Sequence, residues 1–162
     1  MSGRETIVRY LQDAEAAERN FEDVLDSFSQ EGDQPELQSA FAKMSRTAKT
    51  QHQRLAARIE ALGGSRSVAK SALAHSLSLA PKLAQSGETA SQKSTQNLMM
   101  VVAAAAAESA MYQALAAAAA AAEDSTTEHL ARELQDEERQ DYRTAALLLR
   151  QSAVQAFERY MN

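Results

Sequence analysis

The sequence has no cysteine and no tryptophan, and only two prolines among its 162 residues. Without cysteine there is no disulfide, no thiolate nucleophile and no thiolate metal site. Aromatic residues make up 5%, too few for a sheet protein that leans on aromatic and β-branched pairs. Basic residues are outnumbered, giving a net charge of -5, and nothing forms the basic stripe that a phosphate backbone requires. Nucleic acid is therefore not expected as a partner. The first residues, Met1 to Glu5, are polar and lack the apolar stretch of a signal peptide. The closest approach to a long apolar run, Val101 to Ala107, is interrupted by Glu108, so no membrane partner is expected either. The expectation is a cytoplasmic protein whose residues 1–162 form one domain, long enough to bury a core.

What the sequence does have is Ala, Leu, Gln and Glu, the composition of long helices. Its five glycines and two prolines fall between periodic stretches rather than inside them. Helix 1 is expected from about Glu5 to Gln30, ending at Glu31 and Gly32. Asp33 offers an N-cap oxygen to helix 2, with Glu36 completing a capping box and Pro35 in the first turn. Helix 2 runs to Leu62 and stops at Gly63 and Gly64. A Ser-rich connection, residues 65–91, contains Pro81 and Gly87, and a short helix is expected near Val68 to Leu77. Helix 3 follows from roughly Gln92 to Ala122. Ser125 and Glu128 make a second capping box, from which helix 4 runs to about Tyr160.

Two helices, a long connection and two more helices give an all-α four-helix bundle with a crossover between helices 2 and 3. An up-down-up-down bundle is the runner-up. Stepping alternately three and four residues along each helix gives its core seam. Helix 1 reads Ile7, Leu11, Ala14, Glu18, Phe21, Leu25, Phe28, with one acid at its centre. Helix 3 reads Leu98, Val101, Ala105, Glu108, Tyr112, Leu115, Ala119, again with a central carboxylate. Helix 4 carries two, Glu138 and Asp141, between Leu134 and Ala145. Helix 2 reads Leu37, Phe41, Met44, Ala48, then Gln51 or His52, then Leu55 and Ile59, with Arg46 and Lys49 beside it. A rise of ~1.5 Å per residue puts the acids of helices 3 and 4 at one level, equidistant from the turn near Asp124. Acids buried together need neutralising, by pairing or by a metal.

The segment from Tyr10 to Leu25, with Asp13 and Glu18 in a Leu-x-Asp-x-x-x-Ala-Glu pattern, resembles the first helix of ferritin-like stress proteins of the YciE/YciF group. The Glu108-x-x-x-Tyr112 stretch resembles their third helix, and Leu134 to Glu138 their fourth-helix acidic cluster. The resemblance implies a ferritin-like bundle with a stress-related role and carboxylates that hold iron or manganese. It implies Glu18, Glu108 and Glu138 as ligands, with Asp141 standing where a His or second acid would be. Helix 2 departs from the pattern: an ungapped match puts Arg46 and Lys49 where a ligand pair belongs, and a cation there repels metal. The nearest substitute is His52.

Three functions remain open on this reading. One is a degenerate or weak carboxylate site in which Arg46 and Lys49 replace the metal charges as a core ion-pair network. Another is a working di-iron or di-manganese oxidase or peroxide-handling protein. The third is a metal-free scaffold, or a binder of a small apolar ligand beside the Ala-rich helix 3. The balance leans away from an enzyme. Surplus Ala on helix 3 also points to a homodimer formed helix to helix.

Overall fold

The structure is a computed structural model that describes residues 2–66 and 89–161. Four helices account for most of them: α1 Gly3–Ser29, α2 Pro35–Ala61, α3 Ala90–Ala121 and α4 Ser125–Met161. The short helix expected near Val68 to Leu77 lies outside the described residues.

The caps explain why each boundary falls where it does. Ser2 starts α1 earlier than expected: its hydroxyl accepts from the Glu5 amide at 3.2 Å while the Glu5 carboxylate accepts from the Ser2 amide at 2.7 Å. The box expected from Asp33 and Glu36 does not form. Pro35 occupies the first turn and restricts Gln34 to an extended conformation, so Gln34 becomes the N-cap with no side-chain bond. Asp33 instead faces Arg159, 3.4 Å away. At α3 it is Thr89 that caps, in a reciprocal pair with Gln92. The α4 cap is likewise one residue earlier than expected. Asp124, not Ser125, accepts from the Thr127 amide at 3.0 Å, and also takes the Arg58 guanidinium at 2.7 Å. Burial alone would push the Asp124 carboxyl up; the Thr127 and Arg58 hydrogen bonds outweigh it and hold the group below the usual carboxylate range.

Helix α2 ends in a turn with Gly63 at a φ of +70°, where Gly64 N–H bonds to Ile59 O at 2.9 Å and Gly63 N–H to Glu60 O at 2.8 Å. Arg4 of α1 closes this end by donating its Nε–H to Leu62 O at 2.9 Å. The turn after α3 has the same bonds, Asp124 N–H to Ala119 O and Glu123 N–H to Ala120 O, but its left-handed residue is Glu123, with a φ of 56°.

Helix α1 packs along α2 and α3 along α4, each a tight antiparallel hairpin; α1 also meets α3, and α2 meets α4 more sparingly. One apolar cluster joins Ile7 and Leu11 to Leu55, Ile59, Leu115, Ala119, Ala131 and Leu134. The other joins Phe21, Leu25 and Phe28 to Phe41, Met44, Leu98, Val101 and Ala145. The start of α1 thus shares an end with the finish of both α2 and α3. It follows that α2 and α3 run parallel, which excludes the up-down-up-down arrangement and requires a connection spanning the bundle. Between the clusters lies a layer of buried polar side chains: Glu15, Glu18, Gln51, Glu108 and Glu138.

By length and composition α3 is apolar enough to cross a membrane, yet here it packs into the bundle and carries Glu108 at its middle. Its alanines bring it close to its neighbours, with Ala105 and Ala119 fully buried. The gap beside it, lined by Phe21, Phe28, Val101 and Ala104, measures about 20 Å³. That is room for one water and not for a lipid-like ligand.

Candidate metal centre

The polar layer is built by the seam positions. Glu18 of α1, Glu108 of α3 and Glu138 of α4 each present a carboxylate oxygen within 4.8 Å of the other two. Each is almost wholly shielded from solvent. Two donors serve them. The Tyr112 hydroxyl donates to Glu18 Oε1 at 2.5 Å, and the Gln51 amide donates to Glu138 Oε1 at 2.8 Å. Neither oxygen of Glu108 has a hydrogen-bond partner, nor have Glu18 Oε2, Glu138 Oε2 and Gln51 Oε1.

This crowding sets the protonation chemistry. Burial pushes the Glu108 carboxyl well above its usual range, and the charges of Glu18 and Glu138 push it further. Glu18 is raised by burial and by Glu138, against the Tyr112 hydrogen bond. Glu138 rises to about 8, chiefly by burial, with the Gln51 amide opposing. Asp141 rises to about 6, by burial against the field of Lys43. Loss of water also holds the Tyr112 phenol above its ordinary value.

The residues expected at the site divide clearly. Glu18, Glu108 and Glu138 come together. Asp141, one turn along α4, is only half-buried and stands outside the cluster. His52 does not face the cluster: its Nε2 is 2.8 Å from Glu22 Oε2 and its Nδ1 4.0 Å from Glu15 Oε1, on the α1 side of α2. Arg46 and Lys49 are exposed, and Lys49 reaches only Glu22, at 3.9 Å. The core ion-pair network expected of them is absent, because the buried face of α2 passes through Met44, Ala48, Gln51 and Leu55 and leaves both cations off it. Among the described residues no basic side chain forms an ion pair with the three glutamates.

The α2 contribution is Gln51, one of two options the seam left open. Glu15, one turn before Glu18 and readable from the sequence either as a flanking acid or as one reaching the same site, is fully buried but outside the triad, and Arg19 lies 3.6 Å from it. Ferritin-like di-metal bundles draw one Glu from each of two helices and a Glu-x-x-His pair from each of the others. Here those pairs read Gln51-x-x-Arg54 and Glu138-x-x-Asp141. Arg54 points to the outer face of α4, where Nη1 donates to Glu137 at 2.8 Å and Nη2 to Glu133.

A domain family described as a domain of unknown function, DUF892, matches residues 2–160. The chain belongs to that family. Its fold is ferritin-like, as three solved structures show. A protein from Xanthomonas campestris pv. campestris, 21% identical, superposes with a TM-score of 0.83 over 100% of both chains. The Escherichia coli stress protein YciF, 17% identical, gives 0.85 over 94% of this chain and 98% of its own. A DPS protein from Vibrio cholerae O1, described as a member of a broad superfamily of ferritin-like diiron-carboxylate proteins, is 18% identical and gives 0.70 over 91% of each chain. No curated protein sequence matches.

The donor set of this DUF892 chain fits a hard divalent cation: oxygens alone, from three helices, several with no competing hydrogen bond. It does not fit the full di-metal pattern, since α2 supplies neither a carboxylate nor an imidazole to the cluster.

Proposed function

We propose that this ferritin-like protein holds divalent iron or manganese weakly at Glu18, Glu108 and Glu138, in a stress-related role rather than as an oxidase. The observation that carries the reading is Glu108, fully buried against the Glu18 and Glu138 carboxylates, with no amide, hydroxyl or basic donor to either of its oxygens. A buried acid in that state is stabilised by a proton or by a cation, and together with Glu18 and Glu138 it offers a cation oxygens from three helices. The oxygen-only donor set and the ferritin-like neighbours support iron or manganese. The likeness in fold to YciF supports the stress setting. Oxidation of ferrous iron by such bundles draws on two bridged metals, for which α2 offers no ligands, so negligible ferroxidase turnover is expected.

The test is a melting series with Mn²⁺ or anaerobic Fe²⁺ on wild type and on Glu108→Ala. At tenfold excess over Kd a bound ion adds about 1.4 kcal/mol, a few degrees for a chain of this size. The shift should vanish in the variant. A wild-type melting temperature that does not move up to millimolar metal would sink the proposal. It would favour a metal-free bundle whose acids stay protonated, for which the raised Glu138 group speaks. Pairing with a second copy of the chain and a cytoplasmic location belong to the same proposal. Light scattering that shows a monomer across the micromolar range would remove the first.

A further inference from the structure

Gln51 is the one member of the polar layer that brings no charge. Its side chain is 1% exposed, its amide holds Glu138 Oε1 at 2.8 Å, and its own carbonyl oxygen has no partner. It stands on the seam of α2, at the level where a ferritin-like helix would supply the glutamate of its Glu-x-x-His pair. Three residues on, where the imidazole would follow, Arg54 is turned away and tied to Glu137 and Glu133.

From this arrangement we propose that Gln51 fixes the capacity of the centre at one divalent ion, and that the single change Gln51→Glu opens it to two. The inference rests on the reading that the triad takes a divalent cation. Its physical basis is the cost of net charge in a site closed to water. Three carboxylates carry three negative charges, so one divalent ion leaves a single negative charge, which the Gln51 amide and the Tyr112 hydroxyl help to solvate. A second ion would leave a net positive charge between two apolar clusters. No charged acceptor on α2 offsets it, and Asp141 is only half-buried and stands outside the triad. A fourth carboxylate at position 51 changes the sum: four negative charges balance two divalent ions. Position 51 lies within hydrogen-bond reach of Glu138, so the new carboxylate would sit against the ligands already present. The amide also occupies one oxygen of Glu138 that a bridging carboxylate would need for a second metal. Glutamate, an acceptor only when ionised, would free it.

The experiment is equilibrium dialysis of the full chain against Mn²⁺, with metal content per chain and the electron paramagnetic resonance spectrum of the bound fraction. Wild type should hold one Mn²⁺ per chain with the six-line spectrum of an isolated ion. Gln51→Glu should hold two, with the broadened spectrum of a coupled pair. Gln51→Met keeps the volume and the neutrality, removes only the hydrogen bond to Glu138, and should still hold one. Two ions in wild type would overturn the inference, as would one ion in a folded Gln51→Glu, while leaving the cation reading intact. Wild type with no bound Mn²⁺ would remove the cation reading, and this inference with it. If Gln51→Glu does not fold without metal, it is refolded in excess Mn²⁺ before dialysis, and a count of one in that folded protein overturns the inference.

Discussion

Each acid of the polar layer is held by at most one hydrogen bond, and Glu15 and Glu108 accept none from a neighbouring donor, so the residues around them matter chiefly for the charge they bring or withhold. Lys49 withholds it. Its side chain is 59% exposed and its nearest acid, Glu22, is 3.9 Å away on the surface. Lys49→Ala should therefore cost on the order of 0.5 kcal/mol or less in chemical denaturation. A loss near ~3 kcal/mol would restore it as the counter-charge of a buried acid. Single residues were legible in the sequence where a helical period fixes them. Glu18, Glu108 and Glu138 occupy seam slots that could point only inward. His52 and Gln51 are adjacent, however, and over the two heptads from Leu37 the difference between periods of 3.5 and 3.6 residues leaves the seam between them. Asp141 follows Glu138 by three residues and is only half-buried, at the edge of the buried face rather than its centre.

At the scale of the element, length and type were legible because Ala- and Leu-rich periodic stretches leave no alternative to helix. The caps were less so. Ser125 and Asp124 are both good N-caps in isolation, and what selects Asp124 is Arg58, a residue on another helix that sequence spacing does not bring near. Pro35 similarly overrides Asp33 through the backbone of Gln34. The α3–α4 turn carries a correctable strain: Glu123 adopts a φ of 56°, a conformation that suits glycine. Glu123→Gly should raise the stability of the protein by about 0.5–1 kcal/mol, read as a rise in melting temperature at unchanged metal content. A lower melting temperature would mean that the Glu123 side chain contributes more than its backbone costs.

Over the whole molecule, two apolar clusters give the stability and the layer between them takes some of it back. Glu138 has its ordinary value of 4.5 raised to about 8, and Glu18 and Glu108 move in the same direction. A raised value means that the folded state binds protons the unfolded chain has already lost. The stabilising contribution is full below about 4.5 and disappears as the pH rises through 8. The metal-free protein should therefore melt higher at pH 5.5 than at pH 8.5, by on the order of 10 °C. Added Mn²⁺ should reverse the trend, since it binds the ionised carboxylates. A metal-free melting temperature that is flat or rising over this range would contradict the burial of three protonatable acids. The bundle topology was legible from the length of the second connection, because only parallel middle helices need one that long. The pairing of α1 with α2 and of α3 with α4 carries a consequence for assembly. Each hairpin closes locally, and the two meet mainly across their apolar clusters and the acids between them. The protein is thus a noncovalent complex of two half-bundles that happen to share a chain. Residues 1–66 and 89–162, coexpressed as separate polypeptides, should find one another, and divalent metal should tighten their association because its ligands are split between them.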